Sequence, residues 1–153
     1  MKHIILPLLL ICGSYFHSSA QSENPKYDKA LADSLGADKY GMKMYFLVIL
    51  KTGSNAVTDK EKLGELFTGH MANINKLVKD GKMVIAGPLG KNDKQYRGIF
   101  VLNVKTREEV DALLEGDPVL KEKVMEAEIY PWYGSAALPK YLEYHEKVEQ
   151  TKH

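Results

Sequence analysis

The chain has 153 residues, of which 44% are hydrophobic and 27% charged. This composition suits one globular domain with a real core and excludes disorder, collagen-like sequence and a polytopic membrane protein. Lys and Arg total 21 against 20 Asp and Glu, so the charge balance gives no reason to expect nucleic acid, an anionic membrane or a polyanionic substrate as partner.

Met1, Lys2 and His3 make a short basic start, Ile4 to Ile11 is apolar apart from Pro7, and Ser18, Ser19 and Ala20 are small. These are the three parts of an export signal over residues 1–20, with cleavage after Ala20. The apolar run is about half of the roughly 20 residues that span a bilayer, so a retained anchor is disfavoured. Cleavage leaves 20 basic and 20 acidic residues and removes the only cysteine. Cys12 could carry a lipid only if cleavage fell just before it, and Ile11 is bulky for that reaction. The expected product is periplasmic or secreted, has no membrane attachment, and has no disulfide, thiol nucleophile or thiolate metal site.

Residues 21–42 form a polar arm in which Tyr27, Leu31 and Leu35 recur at helical spacing ahead of Gly36, predicting one short helix with a glycine stop. Met44 to Leu50 is a continuous apolar run rich in aromatic and β-branched residues and reads as a central strand. Thr58 and Glu61 have capping-box spacing, which places a helix start at Thr58. Leu63, Phe67, His70, Ile74 and Leu77 then form one stripe, and the helix stops near Asp80 and Gly81. Lys82 to Ala86 and Tyr96 to Val104 read as a hairpin. Thr106 and Glu109 make a second capping box before a helix that stops at Gly116. Asp117 and Pro118 restart the chain as N-cap and first helical residue, and Val124 to Tyr130 is the last strand.

The order β-α-β-β-α-β within residues 43–134 is the split βαβ, ferredoxin-like arrangement: an α+β fold with an antiparallel sheet and both helices on one face. The central strand is apolar on both sides, so the open sheet face is expected to meet a second copy and form a homodimer. Residues 135–153, with Tyr141, Leu142, His145 and Val148, form a helical tail across this domain or its partner.

His70 lies seven residues from both Leu63 and Leu77, at the centre of the stripe that faces the sheet, where an imidazole needs a hydrogen-bond partner. It is either a structural histidine or a reactive base. Gly69 beside it costs a helix about 1 kcal/mol relative to alanine and permits close approach by another chain or a ligand. Asp117 is either a plain N-cap or a site carboxylate. Gly87 and Pro88 end a strand and would also let a ligand near the backbone. Tyr45, Arg97 and Trp132 could line an apolar pocket and orient a small ligand, or could simply pack. The mature histidines His70, His145 and His153 show no HxH or HExxH spacing, so no metal is expected. No nucleotide-binding or nucleophile-elbow motif occurs, and no cofactor is expected.

The sequence holds His70 in the first domain helix, Asp80, Gly81 and Lys82 leading to Ala86, Gly87 and Pro88, and then Gly98 to Val101. The acidic helix Arg107–Leu114, the pair Asp117 and Pro118, and Ile129 to Trp132 follow. In this order and spacing the chain resembles the YCII-related (YciI-like) family over about residues 44–133. The resemblance implies a dimeric α+β barrel of ferredoxin-like subunits and a cleft with a histidine and an aspartate as active-site dyad, here His70 and Asp117. The export signal, the arm and the aromatic tail depart from the compact family pattern.

Two classes of function fit. In one, His70, oriented by Asp117, is the general base of a cofactor-independent lyase or isomerase acting on a small cyclic or aromatic substrate, with Gly87 or Arg97 steadying negative charge. In the other, the protein is a non-catalytic binding or interaction module of the periplasm. A haem or oxygen-using enzyme is a weaker third possibility, by analogy with other dimeric α+β barrels.

Overall fold

The computed structural model of the chain describes residues 24–151, so the export signal expected over residues 1–20 lies outside the described residues. The elements in chain order are α1 (Lys29–Leu35), β1 (Met42–Thr52), α2 (Lys60–Lys79), β2 (Met83–Pro88) and β3 (Tyr96–Leu102). They continue with α3 (Arg107–Glu115), α4 (Pro118–Lys121), β4 (Met125–Ser135), a 3₁₀ turn (Leu138–Tyr141) and α5 (Leu142–Val148). The sheet order is β2-β3-β1-β4 and every neighbouring pair is antiparallel. The fold is therefore α+β and ferredoxin-like, as the element order predicts. No helix among the described residues is long and apolar enough to cross a membrane.

Strand alternation divides the apolar residues between two cores. Val48 and Leu50 from β1, Phe100 and Leu102 from β3, and Met125 from β4 meet Leu77 of α2, Val110 and Leu114 of α3 and Val119 of α4. On the other face Tyr45, Val84 and Val101 form a smaller cluster with Leu47, Ile85, Trp132 and Leu138 packed against it. That second face is partly covered by the protein's own tail. Leu138 lies on it, and the Tyr141 hydroxyl donates to the Val84 carbonyl on strand β2. Full exposure of this face was the expectation from the βαββαβ unit alone, and the tail lies beyond that unit.

Several boundaries differ from the sequence-based expectation. Asp59, not Thr58, caps α2, because its carboxylate accepts from the amides of Glu61 and Lys62. Aspartate is a stronger N-cap than threonine. The second capping box forms as expected at Thr106 and Glu109. Strand β4 runs through Pro131, where a break was expected. It is an edge strand, so a missing N–H is tolerated there.

The arm is tied back to the domain. Helix α1 ends at Gly36 in the left-handed region (φ 68°) and buries none of its residues. Asp38 then accepts from the amides of Tyr40 and Met42 and from the Tyr133 hydroxyl on β4. The Tyr133 bond holds the Asp38 carboxyl below the usual carboxylate range, while the carboxylate pushes the Tyr133 phenol up to about 12. The contribution of Asp38 to docking the arm is present above its unfolded pKa and lost as pH falls through the lowered folded value. That of Tyr133 is present below about 10 and lost as pH rises through the raised one. In absorbance titrations, the difference between the wild type and Tyr133→Phe should show a phenol ionising near pH 12, and Asp38→Asn should bring that midpoint down toward the ordinary tyrosine value. An unchanged midpoint in Asp38→Asn would refute the coupling.

Candidate active site

His70 projects from the middle of α2 toward the sheet and is 7% exposed, while Asp117, at the start of α4, is fully buried. The two are 47 residues apart in sequence, and His70 Nδ1 lies 2.7 Å from Asp117 Oδ2. The other carboxylate oxygen, Oδ1, accepts from the Val119 amide at 3.1 Å. Asp117 is thus both the helix N-cap and the partner of the imidazole, one oxygen for each task. The side-chain amide of Asn73, one turn beyond His70, also donates to Oδ2 at 3.4 Å. A buried carboxylate is costly unless hydrogen-bonded, and these three donors, two at Oδ2 and one at Oδ1, leave neither oxygen without a partner.

Gly69 explains how α4 reaches α2. A Cβ at this position would stand 2.7 Å from Pro118 Cγ. The open space beside Gly69, which would permit another chain or a ligand, receives the protein's own Pro118. Glycine lets the first residue of α4 press against the backbone of α2, and this contact sets Asp117 within reach of His70.

In a neutral ring, a carboxylate at Nδ1 favours the tautomer with the proton on Nδ1, and the lone pair is then on Nε2. Nε2 makes no hydrogen bond with the described residues. The ring lies between Phe67, edge-on at 6.1 Å, and Phe100, tilted at 5.9 Å. Phe100 in turn forms part of the wall of a cleft of about 700 Å³ between α2, β2 and α5, to which Met71, Gly87 and Pro88 also contribute.

The residues singled out in the sequence do not all meet there, and His70 and Asp117 themselves are not among the residues that line it: Phe100 is the link, packing on the imidazole on one side and walling the cleft on the other. Gly87 and Pro88 line this cleft. Tyr45 and Trp132 pack together on the opposite face of the sheet, ring centroids 5.9 Å apart, with the Tyr45 hydroxyl donating to the Ser135 carbonyl. Arg97 is exposed and lines a separate hollow with Lys91, Asn92 and Gln95. Within one chain these three are therefore apart from the dyad. Asn73 and Phe100 belong to the dyad and were not foreseen. Asn73 could have been found as the polar residue three positions after His70 on the same helical face. Among the described residues no group of three or more His, Cys, Asp and Glu side chains could hold a metal ion.

The model of the YCII-related domain matches residues 44–133. No curated protein matches the chain. Among solved structures, the chain is similar to 5-chloro-2-hydroxyhydroquinone dehydrochlorinase (TftG) from Burkholderia phenoliruptrix AC1100 in complex with 2,5-dihydroxybenzoquinone. The identity is 21%, the match covers 57% of this chain and 92% of that one, and the TM-score is 0.43.

Two substitutions probe how the dyad is held. Gly69→Ala gains about 1 kcal/mol of helix propensity but drives a methyl into Pro118, and overpacking of this kind costs about 1–3 kcal/mol. Urea unfolding should show net destabilisation, and the His70 Nδ1 proton should lose its downfield NMR shift. A stabilised variant with that shift intact would remove Gly69 from the account. Asp117→Ala should cost about 2–4 kcal/mol, combining a lost cap of about 1 kcal/mol with a buried imidazole N–H left without an acceptor. Asp117→Asn keeps an oxygen for Val119 and should cost clearly less.

Proposed function

This chain belongs to the YCII-related domain family, and within it we propose that the protein is a cofactor-independent lyase or isomerase with His70 as general base and Asp117 as its positioning partner. The observation that carries this reading is the 2.7 Å buried bond from Nδ1 to the carboxylate. A purely structural histidine needs only a carbonyl acceptor. A carboxylate raises the basicity of the far nitrogen and stabilises the imidazolium that forms when Nε2 takes a proton.

The two nitrogens lie on opposite edges of the ring, so with Nδ1 turned to α4 the basic edge faces away from it. We put the substrate in the cleft beside Phe100, a volume within the usual range for small-molecule sites, and what supports this is that Phe100 both packs on the His70 ring and lines the cleft. A small cyclic or aromatic molecule presents an acidic C–H to Nε2. The proton moves to Nε2 and the C–H electron pair forms a new π bond. Either a leaving group departs with its own pair from the adjacent carbon, or the proton returns at a different carbon. Backbone at Gly87 is open for approach, since nothing lies within 4 Å of where its Cβ would be.

Two further expectations stand as part of this proposal. Export with cleavage after Ala20 gives a mature chain beginning at Gln21, which mass spectrometry of protein secreted or released from the producing cells would detect. A homodimer forms through the part of the open sheet face that the tail leaves half-buried, at Leu47, Ile49 and Trp132, and light scattering at micromolar concentration checks it.

The mechanism is tested on a panel of cyclic ketones and hydroxylated aromatics in D₂O, with exchange at carbon followed by NMR. His70→Ala should slow any catalysed exchange by about 100-fold or more. Asp117→Asn, which keeps its oxygen for Val119 and so turns an amide donor toward Nδ1, should slow it while the fold persists. Nitrogen-15 spectra should show the Nδ1–H tautomer in the wild type only. Full activity in His70→Ala would remove the base assignment. A His70 ring that shows the same tautomer in both proteins would favour the alternative, a non-catalytic ligand-binding module.

A further inference from the structure

Asp117 is fully buried, and its Oδ2 faces the imidazole of His70. A buried carboxylate with an imidazole as its one partner favours a second proton on that ring, because an imidazolium answers the buried charge better than a neutral ring does. An imidazolium has no lone pair to offer. His70 can therefore act as a base only if other donors answer the charge on Asp117 and leave the ring neutral at rest.

Two amides do this. The Val119 amide donates to Oδ1 at 3.1 Å, and the Asn73 side-chain amide donates at 3.4 Å to Oδ2, the same oxygen that faces Nδ1. The first is main chain and comes with the helix cap. The second depends on the side chain at position 73, which is half-buried and sits one turn along α2 from His70. Its amide lies at the junction of α3 and α4, where a Cβ at Gly116 would stand 3.8 Å from Asn73 Oδ1. The reverse orientation would turn Oδ1 toward a carboxylate oxygen, acceptor against acceptor, so the donating orientation is the one that fits. An amide stabilises the carboxylate by hydrogen bonding and has no proton to transfer to the ring. Asn73 is not among the residues that line the cleft beside Phe100.

We propose that Asn73 is a positioning residue of the dyad: its amide holds the Asp117 carboxylate charged beside a neutral ring, so that His70 rests as a free base. The assignment rests on the reading of His70 as the base, and it names the side chain that keeps the base ready.

The test is nitrogen-15 NMR of the full mature chain labelled at histidine, at neutral pH and slightly below it, reading the ratio of imidazolium to neutral ring at His70. Leucine at position 73 keeps nearly the same shape, favours the helix and offers no donor. Asn73→Leu should raise the ratio about three-fold or more, as expected for the loss of one hydrogen bond to a charged group. Asn73→Asp sets a second carboxylate near Oδ2 and should raise it further. The position is half-exposed on a long helix, so both variants should fold, which their amide spectra check. A merely structural asparagine would move the urea midpoint and leave the ratio where it was. An unchanged or lowered ratio in either variant, or a wild-type ring that is mostly imidazolium at neutral pH, would overturn the proposal. The ratio is read without substrate, whereas the base assignment fails through full activity in His70→Ala, so the two failures are told apart.

Discussion

The contact between Gly69 and Pro118 is the constraint on which the candidate site depends. Helix α4 has only four residues, too short to be stable on its own. It is held by its cap, by its packing against α2, and by the carbonyl of Asp117, which accepts from the amides of Leu120 and Lys121. The missing side chain at position 69 sets the distance between the two helices. Once that distance is set, one oxygen of Asp117 stays with its own helix and the other reaches His70. The carboxylate is thus held by main-chain geometry, with little freedom to follow the imidazole if the helices separate.

The fold was legible because hydrophobic periodicity and capping chemistry are local. The stripe from Leu63 to Leu77 and the capping box at Thr106 needed no knowledge of the rest of the chain. Capping α4 and pairing with His70 do not compete at Asp117, since they use different oxygens. That could not be seen in the sequence, because the pairing with His70 spans two elements 47 residues apart. Gly69 was visible as an oddity in a helix, but what fills the space beside it depends on tertiary packing. Within one chain Tyr45, Trp132 and Arg97 do not join the dyad, for a similar reason. Strand parity puts Tyr45 and Phe46 on opposite faces, and it is the Phe46 side that packs with the helices.

The segments flanking the family domain act on it in different ways. The arm is fastened at the Asp38 and Tyr133 pair, and Lys43 of β1 donates to the Leu35 carbonyl at the end of α1. Burial lowers the Lys43 pKa, as expected for an ammonium group enclosed between the arm and the Tyr45 ring. The tail instead crosses to the far end of the sheet order, where β2 lies. One addition is fastened to β1 and β4, and the other lines the cleft that Phe100 walls.

A four-stranded open sheet has two edges, and each is a template for pairing with a stray strand. Here they are guarded by different means. At β4 the strand carries Pro131, which has no amide proton to offer, and charged residues Glu126 and Glu128 bound to Lys51. At β2 the strand has no such residues before Pro88, and its Val84 carbonyl is occupied by the Tyr141 hydroxyl of the tail. The tail therefore closes an edge as well as a cleft: without the Tyr141 hydroxyl, the Val84 carbonyl would be free to template a stray strand.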